Sequence, residues 1–274
     1  MPSPASRRRH GPQRIVCLTE EPTEVLYLLG EQQRIVGISG FTVRPPEARR
    51  DKPRVSAFTS AKIDRILALQ PDLAIGFSDM QADIAAGLIR AGVEVWISNH
   101  RSVAGILDYV RRLGALVDAA DAAARLADTL SARIERVRAA AAALPRRPRV
   151  YFEEWDSPQI SAIRWVSELV GIAGGDDVFP QRATASLARE RIVADPAEVI
   201  AAAPELIIGS WCGKKFRPEQ VAARPGWHAV PAVRDGELHE IKSPLILQPG
   251  PAALTDGLDR LHDIVQAWSR RHGT

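Results

Sequence analysis

The 274-residue chain is 46% apolar and 25% charged, an ordinary globular composition that excludes wholesale disorder and leaves enough apolar mass for two cores. Its formal net charge of +3 comes from scattered arginines, and the short clusters Arg7 to Arg9 and Arg146 to Arg149 read as a solvated end and a solvated loop, so a nucleic-acid surface is not expected. No apolar run reaches the roughly 18 residues that span a bilayer.

The opening MPSPASRRRHGPQR carries charge but no apolar segment of about 7 to 15 residues. Residues 1–13 are therefore expected to be a disordered tail, and the chain as it stands to stay in the cytoplasm; a different true start would admit the periplasm. RIVCL (14–18) then reads as a strand, EVLYLLG as a helix stopped by Gly30, and RIVGIS (34–39) as a second strand. A polar, proline-bearing loop is expected from Gly40 to Ser60. Beyond it KIDRILALQPD forms a short helix, LAIGF (73–77) a strand, DMQADIAAGLIRAG a helix and VEVWIS (93–98) a strand. Strands alternating with helices over short connections predict a mostly parallel sheet covered on both faces, a lobe over 14–114.

The run Ala115 to Leu144 is rich in alanine, leucine and arginine and free of glycine and proline, which predicts one long helix. Leu126, Leu130, Ile134, Val137 and Ala141 make its buried stripe, with Arg125, Arg133 and Arg136 in water. Pro145 and Pro148 end it, so 115–147 is read as a connecting helix and 148–274 as a second lobe. There RVYFEE (149–154) is a strand, Ile160 to Ala173 a helix stopped by Gly174 and Gly175, and DPAEVIAAAPE a helix with Asp195 as N-cap. LIIGSW (206–211) and GELHEI (236–241) are strands; Arg217 to Ala223 and Pro251 to Arg271 are helices. IDRILALQPDLAIGFS (63–78) lines up with PAEVIAAAPELIIGSW (196–211), Pro71 matching Pro204, so one unit recurs in each half. The expected fold class is α/β: two Rossmann-like lobes joined by a single long backbone helix, with a cleft between them.

In open parallel sheets, ligands bind beyond the carboxyl ends of the strands. Aromatic residues fall there: Phe41, Phe58 and Phe77 in the first half, Trp155, Trp165 and Trp211 in the second. They suit a bulky, mostly apolar ligand with polar fringes, or equally the lobe cores, an alternative that weighs most on Phe58 and Trp165. There is no P-loop, dinucleotide fingerprint or nucleophile elbow. Glu153 and Glu154 point to opposite faces of one strand, which argues against a catalytic carboxylate pair. His100, after a strand, has the position of a cobalt ligand but reads more readily as a surface or loop residue; His228 and His239 are too isolated for a metal set, and Cys17 and Cys212 are expected as buried free thiols.

The blocks RIVCLTEEPTEVLYLLGEQQRIVGISGF, IDRILALQPDLAIGF, EEWDSPQISAIRWVSELVGIAGG, PAEVIAAAPELIIGSWCG, PGWHAVPAVRDGELHEI and PGPAALTDGL cover nearly the whole chain from Arg14 to Ala267. In order and spacing the chain resembles the cobalamin and iron-siderophore binding proteins of class III ABC importers, most of all their cobalamin-binding branch. The resemblance implies a non-enzymatic, monomeric binding protein that holds cobalamin or a related corrinoid in the cleft as ligand, with no catalytic cofactor, no nucleic acid and no membrane insertion. It implies stacking by Phe41, Phe58, Phe77, Trp155, Trp165 and Trp211, and polar contacts by Glu154 and Lys214. The family docks to its importer permease through one acidic residue per lobe near the start of a short helix, which implies Asp64 and Glu198, although Ala197 stands at the strict match to Asp64. Haem or a ferric siderophore is the alternative ligand, and an enzyme acting on a corrinoid the alternative class. Ferric siderophores demand convergent cations; Arg44, Arg164 and Lys214 form no dense cluster in the sequence, which favours the corrinoid.

Overall fold

A computed structural model describes residues 11–273. The first sheet is built from β1 (Ile15–Cys17), β2 (Ile35–Ser39), β3 (Arg54–Ser56), β4 (Leu73–Phe77) and β5 (Glu94–Ser98), in the order β3-β2-β1-β4-β5 with every pairing parallel. β1 and β4 are buried along their whole length, as strands covered by helices on both faces must be. Strand order reverses between β1 and β4, which leaves a crevice at their carboxyl ends. The loop expected over 40–60 contains a helix, Pro46–Asp51, and β3. β3 is three residues of RVS pinned through pairings such as Ile38 N to Pro53 O at 2.9 Å, too short and too polar to carry a strand pattern.

The second sheet comprises β6 (Arg149–Asp156), β7 (Gln159–Ser161), β8 (Asp176–Asp177), β9 (Leu206–Gly209) and β10 (Leu238–Glu240), in the order β10-β9-β6-β7, with β8 alongside the start of β6. β7 runs antiparallel to β6, so the helix expected from Ile160 begins only at Arg164. That helix stops at Gly174, whose φ of 101° needs a residue without Cβ. Asp195 Oδ1 accepts a hydrogen bond from Ala197 N at 2.9 Å and so caps the Ala197–Ala202 helix as expected.

The sequence repeat is a structural one. Asp72 Oδ1 accepts from Arg14 N at 2.9 Å at the start of β1, and Glu205 Oε2 accepts from Arg149 N at 3.0 Å at the start of β6. Gly76 and Gly209 are matched as well. A Cβ on Gly76 would lie 2.3 Å from Gln81 Oε1, and one on Gly209 would lie 1.9 Å from the Phe216 ring, so each strand end is left bare for a covering side chain.

The described residues divide into two compact units, 11–100 with 107–129 and 101–106 with 130–273. The long helix runs Ala120–Ala142, its first ten residues in one unit and the rest in the other. It starts later than the composition predicts because Val117–Ala119 turn, with Asp118 at φ 60°, after a helix at Val103–Leu116 that the sequence reading left unassigned. The two helices meet where a Cβ on Gly114 would lie 2.1 Å from Ala123 Cβ. Leu130, Ile134, Val137 and Ala141 are buried as expected. Of the tail expected over 1–13, residues 1–10 lie outside the described residues, as does the Arg7 to Arg9 cluster; 11–13 are tied down. Arg34 Nη1 donates to Pro12 O at 2.6 Å, and Gln13 N to Asp72 Oδ2 at 2.6 Å. Among the described residues no helix is long and apolar enough to cross a membrane.

Candidate functional site

The carboxyl edge of the second sheet is organised by a buried acid. Glu153, near the end of β6, is fully buried and accepts Trp211 Nε1–H at 3.0 Å and Arg224 Nη1 and Nη2 at 2.6 and 2.9 Å. A buried carboxylate is tolerable only with such a set of charge-assisted donors. The consequence is a fixed Trp211 ring just beyond β9, packed edge-on against Phe216 at 5.0 Å. Trp155 is fixed likewise: its Nε1–H donates to Ser157 O at 2.9 Å, so its polar handle is satisfied while the ring stays partly exposed.

From Trp211 the chain turns through Gly213, at φ 77°, with Lys214 N donating back to Trp211 O at 3.4 Å. The turn lays the Lys214 ammonium 4.7 Å from the Trp155 ring centroid and 5.0 Å from that of Trp211, within cation–π reach of both, and against Asp156 at 2.6 Å. Three of the residues singled out in the sequence therefore converge.

Beside this group lies a cavity of about 530 Å³ at the ends of β9 and β10, lined by Trp211, Gly213, Lys214, Lys215, Glu240, Lys242, Ser243 and Pro244. Glu240 Oε1 accepts Phe216 N at 3.0 Å. Arg44, Arg164 and Lys214 form no dense cluster in the sequence, but the fold sets Lys215 and Lys242 around the same cavity as Lys214. Arg44 pairs with Glu24 and Arg164 with Glu168.

Other expected contacts are committed internally. Glu154 does not offer its carboxylate as a ligand contact: Arg191, itself almost fully buried, holds it at 2.5 and 3.2 Å. Trp165 is 3% exposed and its Nε1–H donates to Ile246 O at 2.9 Å, which makes it a core residue, the alternative weighed from sequence. Trp211 is also 3% exposed and belongs to the core cluster with Tyr151, Phe216 and Trp227, reaching the cavity only as part of its wall.

In the first unit, Phe41 is 50% exposed after β2, whereas Phe77 at the end of β4 is 5% exposed, edge-on to the His100 ring at 5.3 Å. His100 stacks on Tyr109 at 4.5 Å, so it belongs to a ring cluster. Phe58 is partly buried, and its carbonyl accepts from Gln81 Nε2 at 2.9 Å. Gln81 also takes Phe77 N at 3.0 Å and reaches Leu18 O at 3.3 Å, tying β1, β4 and the 57–60 loop together at the crevice; no motif in the sequence marks it.

Directly after β1, Glu20 and Glu21 are buried. Burial, with the neighbouring Glu21 charge, pushes Glu20 up to about 8; burial, only partly offset by the Thr19 hydroxyl at 2.7 Å, pushes Glu21 up to about 7. Burial also pushes the Cys17 thiol up to about 12. Cys212, expected to be buried, is exposed because it sits in the Trp211–Lys214 turn.

Asp64 and Glu198 are each the second residue of a short helix, Ile63–Leu67 and Ala197–Ala202, one position out of register in the repeat, where Ala197 matches Asp64. Asp64 is exposed; Glu198 pairs with Arg182 at 2.5 Å. Among the described residues no group of His, Cys, Asp and Glu could hold a metal.

The model of a family described as periplasmic binding protein matches residues 15–245. The chain belongs to that family. The vitamin B12-binding protein of Vibrio vulnificus is 22% identical to this chain over 249 residues, 88% of this chain and 86% of that one. The cobalamin-binding protein of Halobacterium salinarum is 27% identical over 199 residues, 69% and 53% of the two chains. Among solved structures, the periplasmic heme-binding protein of Roseiflexus superimposes with a TM-score of 0.78 at 25% identity, covering 93% of this chain and all of that one (100%). The periplasmic vitamin B12 binding protein of Vibrio cholerae gives 0.74 at 21% identity, covering 94% and 98%. Both share this chain's α/β fold.

Proposed function

We propose that this protein binds a corrinoid, cobalamin or a close relative, and releases it unchanged, as the substrate-binding component of an ABC importer or a relative of one. The observation that carries the reading is the Trp155, Lys214 and Trp211 group at the carboxyl edge of the second sheet. The Trp155 N–H is satisfied by protein while its ring is partly exposed, so what it offers a ligand is an aromatic face beside the Lys214–Asp156 pair, with buried Trp211 as the wall behind. A wide macrocycle with an apolar face and polar fringes matches that surface. Phe41, exposed at the carboxyl edge of the first sheet, and Phe58 are the first unit's candidates for further apolar contact. The named relatives that take vitamin B12 or cobalamin support the same ligand.

Haem is a second reading, supported by the lysines around the neighbouring cavity and by the heme-binding structural neighbours. Titrating the protein separately with cyanocobalamin, haem and a ferric siderophore, followed by calorimetry and by absorbance, tests both. Trp155→Ala should weaken the bound macrocycle on the order of tenfold, about 1.4 kcal/mol, without lowering the melting temperature. Cyanocobalamin that fails to bind, or binds the variant as tightly as the parent, overturns the corrinoid reading. Chemically altered corrinoid after incubation would place the protein among enzymes instead.

Asp64 and Glu198 are proposed as the docking carboxylates toward an importer permease, since each is the second residue of the short helix that precedes a buried strand in its half. Replacing both by alanine should abolish ligand transfer to a reconstituted importer while leaving ligand affinity unchanged.

A further inference from the structure

Three cationic side chains converge on one cavity of the second unit with little to neutralise them. Lys214, Lys215 and Lys242 line it against a single carboxylate, Glu240. Glu240 already accepts Phe216 N, and the charge of Lys214 is met by Asp156 at 2.6 Å. Lys215 and Lys242 are exposed, and among the described residues their side chains make no hydrogen bond or ion pair. Like charges brought together at a cavity raise the local potential, and an anion entering there is favoured in proportion.

The lysines are also held in place. Phe216 plugs the bare end of β9 at Gly209, and the hydrogen bond from Phe216 N to Glu240 ties the 210–217 loop to β10. Lys214 and Lys215 are thereby fixed on one side and Lys242, just past β10, on the other. The cavity sits where strand ends of a parallel sheet present ligand contacts, and it shares Trp211 and Lys214 with the aromatic group.

We propose that Lys215 and Lys242 form an anion subsite that receives a carboxylate or phosphate group of the ligand. The inference rests on the macrocycle-binding reading and sharpens it: the ligand carries at least one negative substituent, placed to enter this cavity while its ring system meets Trp155. A haem would supply propionate carboxylates; a complete corrinoid would supply the phosphodiester of its nucleotide loop.

The test uses the full chain and the charge reversal Lys215→Glu with Lys242→Glu, both exposed positions, with circular dichroism to check the fold. Affinities are measured for haem against haem dimethyl ester and for cyanocobalamin against cobinamide, which lacks the phosphodiester. The expected result is a loss of about tenfold or more for haem or for cyanocobalamin, none for the partner compound without the anion, and recovery in the Lys215→Arg, Lys242→Arg variant. A loss confined to haem identifies carboxylate, and one confined to cyanocobalamin identifies phosphate. Unchanged affinities in the reversed variant overturn the subsite while leaving macrocycle binding intact. Should no macrocycle bind the parent protein, the wider reading fails and inorganic pyrophosphate decides the subsite. Quenching of tryptophan fluorescence that the charge reversal removes supports the subsite, and absence of pyrophosphate binding to the parent overturns it.

Discussion

Glu153 Oε1 and Trp211 Nε1 lie 3.0 Å apart across two neighbouring parallel strand ends, and that hydrogen bond sets the indole that walls the cavity. Arg224 completes the arrangement by gripping the same carboxylate with two nitrogens. Glu153→Ala strands the Arg224 guanidinium in a poorly solvated site and should cost about 3–5 kcal/mol in urea unfolding. Replacing Glu153 and Arg224 together by leucine should cost less than the single change. A double variant less stable than Glu153→Ala would show that the pair does more than neutralise itself.

Glu154 and Arg191 make a structural pair on the opposite face of the same strand. Glu154→Gln should destabilise the protein by about 1–3 kcal/mol, the scale of a weakened charge-assisted bond, with ligand affinity unchanged. An affinity loss at constant melting temperature would instead restore Glu154 as a ligand contact.

Stability should fall as pH rises through neutrality. Glu20 and Glu21 keep protons in the folded state up to about 8 and about 7, against 4.5 as the ordinary value, because burial disfavours their charged forms. Above about 4.5 the unfolded chain has released protons that the native state still holds. The contribution is therefore complete below that pH and is lost as pH rises through 7 and 8. Denaturant midpoints measured from pH 4.5 to 8.5 should decline, and Glu21→Gln should flatten the decline. An identical slope in the variant contradicts the assignment.

One thiol should react quickly in the native protein. Cys212 is exposed in the Trp211–Lys214 turn, whereas Cys17 is buried with its thiol pushed up to about 12. Ellman's reagent should therefore modify one thiol per chain before denaturation and two after it, and bound ligand should slow the first. Two fast equivalents would show that β1 is not closed.

Gly209→Ala should cost about 1–3 kcal/mol, since its Cβ would lie 1.9 Å from the Phe216 ring and force the plug out. The same change should weaken ligand binding, because the lysine-bearing loop is anchored by Phe216. Unaltered thermal stability would mean that the loop shifts without consequence.

Asp72 and Glu205, each receiving a backbone N–H where its sheet's first strand begins, show why half of the architecture was legible in advance. The motif is local: a proline, an acid, an apolar run and a glycine within a few residues. Phe77 and Trp165 show the limit. At a strand end or a helix start, an aromatic ring that faces ligand and one that faces core have the same sequence signature, and only neighbours from distant segments, His100 for one and Ile246 for the other, settle it.

The sequence by itself determined the alternation of strands and helices, the buried stripe of the long helix and the repeat, because these follow from residue spacing and local backbone preference. Only the tertiary structure decided that Lys242 joins Lys214 and Lys215, that Glu153 orients Trp211 and that Glu154 serves Arg191. Those relations hold between residues from 27 to 58 positions apart, and chain separation carries no information about which charges meet until packing has chosen their neighbours.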